Sequence, residues 1–202
     1  MNLEELILWN NNLSSLPEEI IKLIKLKHLF IDHNNFTHFP VEICNIKNLE
    51  SVCLSGNQLN ELPSDIINLS NLKFLSLAEN DFTDIPDIYF ELRNIQDFDF
   101  ANNKISRVSK KIENLKNLVE INLNNNNLTT LPLEFKKLEK LECVSLSGNK
   151  ILDKYAKEEL GFKNLMFWSA NTIKYFHQLI EALNTKEYEN WFERMVANSN
   201  FE

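Results

Sequence analysis

The chain repeats one pattern of apolar and polar residues every 23 residues, and this period constrains the fold more than any other feature. Aligned on LxxLxLxxNxLxxLPxxIxxLxx, seven rows follow one another without an insertion, starting at Leu3, Leu26, Leu49, Leu72, Ile95, Leu118 and Leu141. Position 9 of every row is asparagine: Asn11, Asn34, Asn57, Asn80, Asn103, Asn126 and Asn149. An eighth, imperfect row starts at Leu165, with Trp168 and Ala170 in the apolar positions. Such a period predicts an array of stacked coils.

Each row predicts one short strand and one return segment. Apolar residues at positions 4 and 6 alternate with polar ones, as a half-buried strand requires, so Leu6 and Leu8 of the first row point inward. The asparagine marks the turn after the strand, where its amide can satisfy backbone groups of neighbouring coils. Proline at position 15 fixes φ for a short helical or 3₁₀ segment on the other side; five rows have it, at Pro17, Pro40, Pro63, Pro86 and Pro132.

These rows resemble the leucine-rich-repeat family over about residues 3–170. The second half, LPxxIxxL, is similar to the 23-residue class known from intracellular Ras-pathway scaffolds, plant relatives and many bacterial proteins. The resemblance implies an α/β fold, a right-handed solenoid or horseshoe. About eight short strands would form its concave parallel sheet, and 3₁₀ or short helical segments its convex side. It is specific for the fold and names no partner, because the same fold carries unrelated activities.

The pattern breaks after the seventh asparagine, and helical spacing replaces it. Residues 152–161 predict a helix that ends at Gly161. Two amphipathic segments follow, so we predict a repeat array over residues 1–170 and a C-terminal helical cap over residues 171–202. The alternative role for the two helices is to recruit a partner helix. The first row starts at Leu3 with no cap ahead of it, which predicts an upstream segment or an association through the open edge.

Charge and cysteine usage limit the partners and the compartment. The net charge of -8 argues against nucleic acid and anionic membrane surfaces, so we expect a protein partner that is basic or neutral at the contact. No apolar stretch is long enough for membrane insertion. The three cysteines lie far apart and form neither a disulfide framework nor a zinc motif. We predict a cytoplasmic protein; the alternative is an exported one whose leader is absent from this chain.

Positions 3, 5 and 7 of each row would form the concave surface, and two groups of candidate binding residues lie there. Large apolar or aromatic side chains concentrate towards the N-terminal end, with a histidine among them: Ile7, Trp9, His28, Phe30 and, further along, Phe74. Acidic and amide side chains occupy the middle and its rims: Asp32, Glu79, Asp97, Asp99, Glu120 and Asn122. A missing upstream cap could cover the first group, and ordinary solvation could explain the second.

Enzymatic hypotheses lack the expected motifs. Asp97, Asp99 and Glu120 could act as acid and base or bind a hard cation, but calcium needs about six to eight oxygens. His28, Asp32 and His33 could begin a metal site, although the turn separates their directions. The chain has three glycines and no GxSxG motif. We therefore predict a non-enzymatic protein-binding module with no cofactor and no metal. A structural or scaffolding segment of a longer protein is the alternative, and a metal-dependent enzyme is disfavoured.

Overall fold

A computed structural model describes residues 2–151 and the backbone of Leu165–Met166. Its eight strands form one parallel sheet in sequence order. The strands are β1 (Glu5–Ile7), β2 (His28–Phe30), β3 (Ser51–Cys53), β4 (Phe74–Ser76), β5 (Asp97–Asp99), β6 (Glu120–Asn122), β7 (Cys143–Ser145) and β8 (Leu165–Met166). Through β7, each residue pairs with the residue 23 positions later, as His28 does with Ser51. The predicted solenoid with a parallel sheet of about eight short strands is confirmed.

The return half of each coil is a 3₁₀ segment, as the prolines predict. The six segments are Glu18–Lys22, Val41–Asn45, Ser64–Asn68, Asp87–Glu91, Lys110–Asn114 and Leu133–Lys137. A proline precedes five of them, with φ of -70° at Pro17. The fifth row has Ser109 instead, and its hydroxyl accepts a hydrogen bond of 3.2 Å from the Lys111 N–H. A side-chain cap there replaces the fixed proline ring.

The core lies between the sheet and the 3₁₀ segments and runs through the stack. The strand-centre residues Leu29, Val52, Leu75, Phe98 and Ile121 are fully buried. Aromatic rings fill the core of the middle coils, where the ring centroids of Phe82 and Phe100 lie 5.7 Å apart in an edge-to-face arrangement.

One aromatic residue of this core brings a polar group with it. Tyr89 replaces the aliphatic residue of the return segment and is buried. Its hydroxyl donates to the Leu62 carbonyl over 3.1 Å and accepts from the Leu62 N–H over 2.5 Å. Burial raises the pKa of this hydroxyl to about 12. It therefore satisfies two backbone groups of the preceding coil that would otherwise lack a partner.

The position-9 asparagines join each coil to the coil before it. The Oδ1 of Asn80 accepts from the Leu59 N–H over 2.9 Å, and its Nδ2 donates to the Leu54 carbonyl over 3.0 Å. The same amide also bonds the carbonyls of Leu77 and Ala78 in its own coil. Five of the seven asparagines are buried. Asn11 is exposed and bonds only carbonyls of its own coil.

A second asparagine series, at position 23, was not recognised in the sequence analysis. Each of its side chains donates to a position-22 carbonyl of the preceding coil, over 2.6 to 3.0 Å: Asn48, Asn71, Asn94 and Asn117. The signal is present in the sequence, since an asparagine precedes the first apolar residue of five of the seven rows. These amides tie the coils together along an exposed edge of the stack.

The predicted register of the eighth row is wrong. β8 pairs Leu165 with Val144 and Met166 with Ser145, so Leu165 stands at position 4 and not at position 1. From Val144 to Leu165 is 165 − 144 = 21 residues, two short of the 23-residue period. Counting by the period therefore starts the row too late. The predicted helix ending at Gly161, the cap over 171–202 and the domain boundary at 170 lie outside the described residues.

Candidate functional site

The concave surface is built from three columns of side chains, at positions 3, 5 and 7 of the coils. Position 4 is buried in the core, so positions 3 and 5 on either side of it face the opposite side of the sheet. Parallel pairing in register makes residues 23 apart neighbours, about 4.8 Å between strands. Each column can therefore be followed along the stack as a continuous row of neighbouring side chains.

The apolar residues proposed for binding separate into two places. Ile7 is 52% exposed and Trp9 is 50% exposed, and Ile7 is paired with the half-buried Phe30. Phe74 is also half-buried, but β3 lies between it and Phe30. On the next strand, β5, Phe74 is paired directly with Asp97. The structure thus brings Ile7, Trp9 and Phe30 together at one end, and Phe74 to the acidic residues.

The acidic residues form a half-buried cluster on β5 and β6. Asp97 is paired directly with Glu120, and Asp99 with Asn122. Burial raises the pKa of Asp97 from 3.8 to about 6, and the charges of Glu120 and Asp99 add to this rise. Three carboxyl groups therefore sit where water solvates them poorly and where they repel each other.

Asp99 differs from Asp97 because its carboxylate has hydrogen-bond donors. Its Oδ1 accepts from the Ala101 N–H over 2.9 Å, and its Oδ2 accepts from the Ser76 hydroxyl over 3.4 Å. Burial still raises the pKa of Asp99, while these two bonds lower it and the charge of Glu79 raises it. Asn122 holds its own turn, because its Oδ1 accepts from the Asn124 N–H over 3.2 Å.

A line of thiol, hydroxyl and carboxylate groups crosses the concave surface from β3 to β5, and the sequence analysis did not single it out. Its members are the Cys53 thiol, the Ser55 and Ser76 hydroxyls and the Asp99 carboxylate. The Ser55 and Ser76 oxygens lie 2.6 Å apart, and the Cys53 sulfur lies 3.5 Å from the Ser55 oxygen. Small polar residues at positions 5 and 7 of adjacent rows are the sequence signal. This line makes the floor between β3 and β5 polar.

One rim of the surface is formed by position 8, where the backbone is left-handed in all seven coils. The φ values are 50° at His33 and 54° at Glu79, and Gly56 and Gly148 supply two of the seven positions. The His33 ring packs closely against Gly56, and a Cβ at that position would overlap the ring. Glu79 is exposed on this rim, whereas Asp32 and His28 are half-buried on the floor.

The concave carboxylates have no cationic partner within residues 2–151. The six ion pairs of that segment all lie outside positions 3, 5 and 7: Lys27–Glu4, Lys73–Glu50, Arg93–Glu91, Lys104–Asp81, Arg107–Asp84 and Lys137–Glu113. Lysine and arginine are absent from the three columns over the same segment. The cluster of Asp97, Asp99 and Glu120 therefore carries uncompensated negative charge.

Neither metal ligation nor membrane insertion finds support in the part of the chain that the structure describes. No group of three or more His, Cys, Asp or Glu side chains there is placed to hold a metal ion. His28, Asp32 and His33 accordingly do not form such a group. In the same part, no helix has the length and apolar character needed to cross a membrane. Cys44, Cys53 and Cys143 are free thiols.

The geometry agrees with two comparisons, while a third, with curated proteins, found no match. A family described as Leucine-rich repeat region matches residues 1–101, and one described as Leucine Rich Repeat matches residues 117–138. A solved leucine-rich-repeat protein of Leptospira interrogans is similar at 34% identity and a TM-score of 0.67, over 82% of this chain and 49% of that one.

An internalin of Listeria monocytogenes is similar at a TM-score of 0.69, over 83% of this chain and 48% of that one. Its identity is 24%, so this likeness concerns the fold alone. The chain spans about half the length of either structure. With residues 1–101 matched by the repeat-region family and seven coils in register, the chain belongs to the leucine-rich-repeat family.

Proposed function

We propose that this chain is a non-enzymatic protein-binding module that receives a partner protein on its concave sheet. Leucine-rich-repeat domains are commonly protein-interaction modules, and their curvature creates an extended concave surface. The observation that carries the proposal is the uncompensated acidic cluster of Asp97, Asp99 and Glu120. A partner that is basic at this contact would supply the missing charge.

The energetics favour a cationic contact at this cluster. Asp97 and Glu120 repel each other in the free protein, because they are direct cross-strand neighbours. A lysine or arginine of the partner would relieve this repulsion and form charge-assisted hydrogen bonds. Binding would also drive a proton from Asp97 where that carboxyl is protonated, so affinity should rise with pH through about 6.

Aromatic residues would flank the charged contact on the N-terminal side. Phe74 adjoins Asp97, and Phe30 with His28 lies two strands further along. Half-buried aromatic side chains are good anchors, since little conformational entropy is lost when a partner covers them. Asp32 and Glu79 extend the negative potential towards the floor and the rim. This arrangement fits a partner segment with alternating basic and apolar side chains.

Localisation belongs to the same proposal. Three free thiols, two of them on the concave floor, suit a reducing compartment such as the cytoplasm. Burial raises the pKa of the Cys44 thiol to about 12, and the pKa values of Cys53 and Cys143 are also raised. These thiols are therefore poor nucleophiles, which agrees with a non-enzymatic role.

The test compares two variants of equal net charge. Binding proteins are captured with the wild-type chain, the captured partner is purified, and its affinity is measured by calorimetry at low and high salt. Asp97→Asn/Glu120→Gln should weaken binding about tenfold and flatten the salt dependence. The control, Asp87→Asn/Glu139→Gln, removes the same two charges from the convex side and should bind like the wild type.

The proposal fails if binding ignores both salt and the concave double variant. A further pair of variants then locates the contact. Phe30→Ala and Trp9→Ala would weaken binding if the apolar end is the contact, whereas unchanged affinity would exclude both the acidic cluster and the apolar end as the contact. Circular dichroism of every variant establishes that it is folded.

A further inference from the structure

The first coil leaves apolar side chains uncovered that every inner coil buries. Leu3 is 38% exposed, whereas its counterpart Leu26 is fully buried. Leu6 and Leu8 are half-buried, and their counterparts Leu29 and Ile31 are fully buried. The side of the first coil that faces away from the second is therefore an apolar surface, here called the open edge. It is bounded by Ile7 and Trp9 on the concave side and by Ile21 and Ile24 on the convex side.

β1 presents unused backbone groups along the same edge. The Leu8 N–H donates to the Phe30 carbonyl over 2.8 Å, and the Glu4 carbonyl accepts from the His28 N–H over 3.0 Å. The even-numbered residues of β1 therefore face β2. In a strand these directions alternate, so the N–H and C=O groups of Glu5 and Ile7 point away from β2. Such an edge is a template for a further strand.

The charges of the first coil are ordered along its return segment. Glu18 and Glu19 begin the first 3₁₀ segment, and Lys22 ends it, with Lys25 three residues later. All four side chains are exposed, and none is in an ion pair within the described residues. Along the open edge, a negative end is thus followed by a positive end, with Ile21 between them.

The lysine positions reach towards the preceding coil elsewhere in the stack. At position 20, the position of Lys22, Lys137 donates to Glu113 of the coil before it over 2.6 Å. At position 23, the position of Lys25, Asn71 donates to a carbonyl of the coil before it over 3.0 Å. For the first coil, the same direction points across the open edge. We therefore expect the side chains of Lys22 and Lys25 to reach a molecule that covers the open edge.

We infer that the open edge binds the open edge of a second copy, related by a twofold axis that passes beside Ile7 of β1. The axis makes the two β1 strands antiparallel neighbours, with Ile7 opposite Ile7 of the other copy. Ile7 then exchanges both backbone hydrogen bonds with its mate, and Leu6 faces Leu8 of the other copy in the core layer. A register centred on Glu5 would oppose like charges, so the apolar register is preferred.

The same axis makes the charges complementary. The return segment runs opposite to the strand, so the twofold axis brings its negative end against the positive end of the other copy. Glu18 and Glu19 of each copy then face Lys22 and Lys25 of its mate, and each pairing occurs twice, as an isologous interface requires. The two concave sheets become one surface that is about twice as long. A head-to-tail contact would pair β1 with a different surface of the second copy, and repeated contacts of this kind would produce an open chain of copies.

Sedimentation velocity of the full chain, from micromolar to submillimolar concentration, tests the inference. The wild type should form a dimer and no larger species. Ile7→Lys should weaken the association about tenfold or more, because two lysines would meet at the axis. The matched control, Ile67→Lys, changes an isoleucine that is 41% exposed on the convex side of the third coil and should leave the dimer intact.

A charge-reversal pair tests whether the acidic and basic ends of the return segment meet across the interface. Glu18→Lys/Glu19→Lys and Lys22→Glu/Lys25→Glu should each be monomeric alone. In either variant all four charged side chains of one copy have the same sign as the four that they would face in the other copy. Mixed together, the two variants should form a heterodimer, and this rescue also demonstrates that both are folded. A wild type that stays monomeric, grows into larger species, or dimerises unchanged by Ile7→Lys and both reversals would overturn the inference. A failure of rescue in the mixture would do the same.

Discussion

The first coil and the fourth coil follow the same row pattern, yet their equivalent residues have different surroundings. Leu6 and Leu75 both occupy position 4, but Leu75 is fully buried and Leu6 is half-buried. Asn11 and Asn80 both occupy position 9. The side chain of Asn80 makes hydrogen bonds to the preceding coil as well as to its own, whereas that of Asn11 makes them only to its own coil. The difference teaches that a row encodes half of an interface, and that its stabilisation depends on neighbours on both sides.

The largest difference between the two coils should come from truncating position 4. Leu75→Ala should lower the free energy of unfolding by about 3–4 kcal/mol, because it leaves a cavity between packed coils. Leu6→Ala should cost about 1–2 kcal/mol, since its side chain is already half in water and the edge can relax. Urea denaturation in an Ile7→Lys background measures both while the open edge stays uncovered.

Equal costs for the two leucine variants would contradict the comparison. They would mean that the first coil is packed as tightly as an inner one. Leu29→Ala, at the same position of the second coil, is the control and should resemble Leu75→Ala, because Leu29 is also fully buried. The slope of unfolding with urea should stay unchanged in all three variants, since none of them alters the surface exposed on unfolding.

The second difference concerns the asparagines. Asn80→Ala should cost about 2–3 kcal/mol, because it leaves the buried Leu59 N–H and Leu54 carbonyl without partners. Asn11→Ala should cost less than about 1 kcal/mol, since the carbonyls that it bonds can turn to water. Urea melts in the same background compare the two. A cost at Asn11 that matches that at Asn80 would refute the importance of the bonds between coils.

The sequence alone predicted the strands, the return segments and the asparagine turns, because each of these repeats at every row. The in-register pairing of Asp97 with Glu120 was also predictable, since it follows from the period. The degree of burial was not. Trp9 and Phe30 belong to the same predicted patch, but Trp9 is half exposed and Phe30 has neighbours on both sides. A pattern defines which face a residue points to and not how many neighbours surround it.

Several features that the sequence did not reveal are not encoded in the row consensus. The 21-residue step to β8 breaks the period once, so counting could not find it. The hydroxyl line from Ser55 to Ser76 depends on two adjacent rows having small polar residues at different positions. The left-handed backbone at His33 depends on the turn geometry, and no glycine marks it there. In the first two cases the deciding contact lies between rows, where a row consensus carries no information.

The third and smallest difference concerns position 3 on the concave face. Asp97 and Glu5 share this position, but Asp97 is half-buried beside the carboxylates of Glu120 and Asp99, and Glu5 is exposed at the edge. Burial and the charges of Glu120 and Asp99 raise the pKa of Asp97 from 3.8 to about 6. A raised pKa means that the folded chain binds this proton more tightly than the unfolded chain does. At this site, stability is therefore present below about pH 4 and is lost as the pH rises through about 6.

Asp97→Asn should consequently stabilise the fold at pH 7, by about 1 kcal/mol once solvent screening at a half-buried carboxyl is allowed for. The gain should shrink as the pH falls through about 6 and should vanish below the unfolded pKa of 3.8, where the wild-type carboxyl is protonated in both states. Glu5→Gln should change stability little at any pH. Urea melts at several pH values, taken as differences from the wild type, cancel the other titrating groups. A gain that does not depend on pH would show that charge is not its cause. An equal gain at Glu5 would show that the neighbouring coils do not create it.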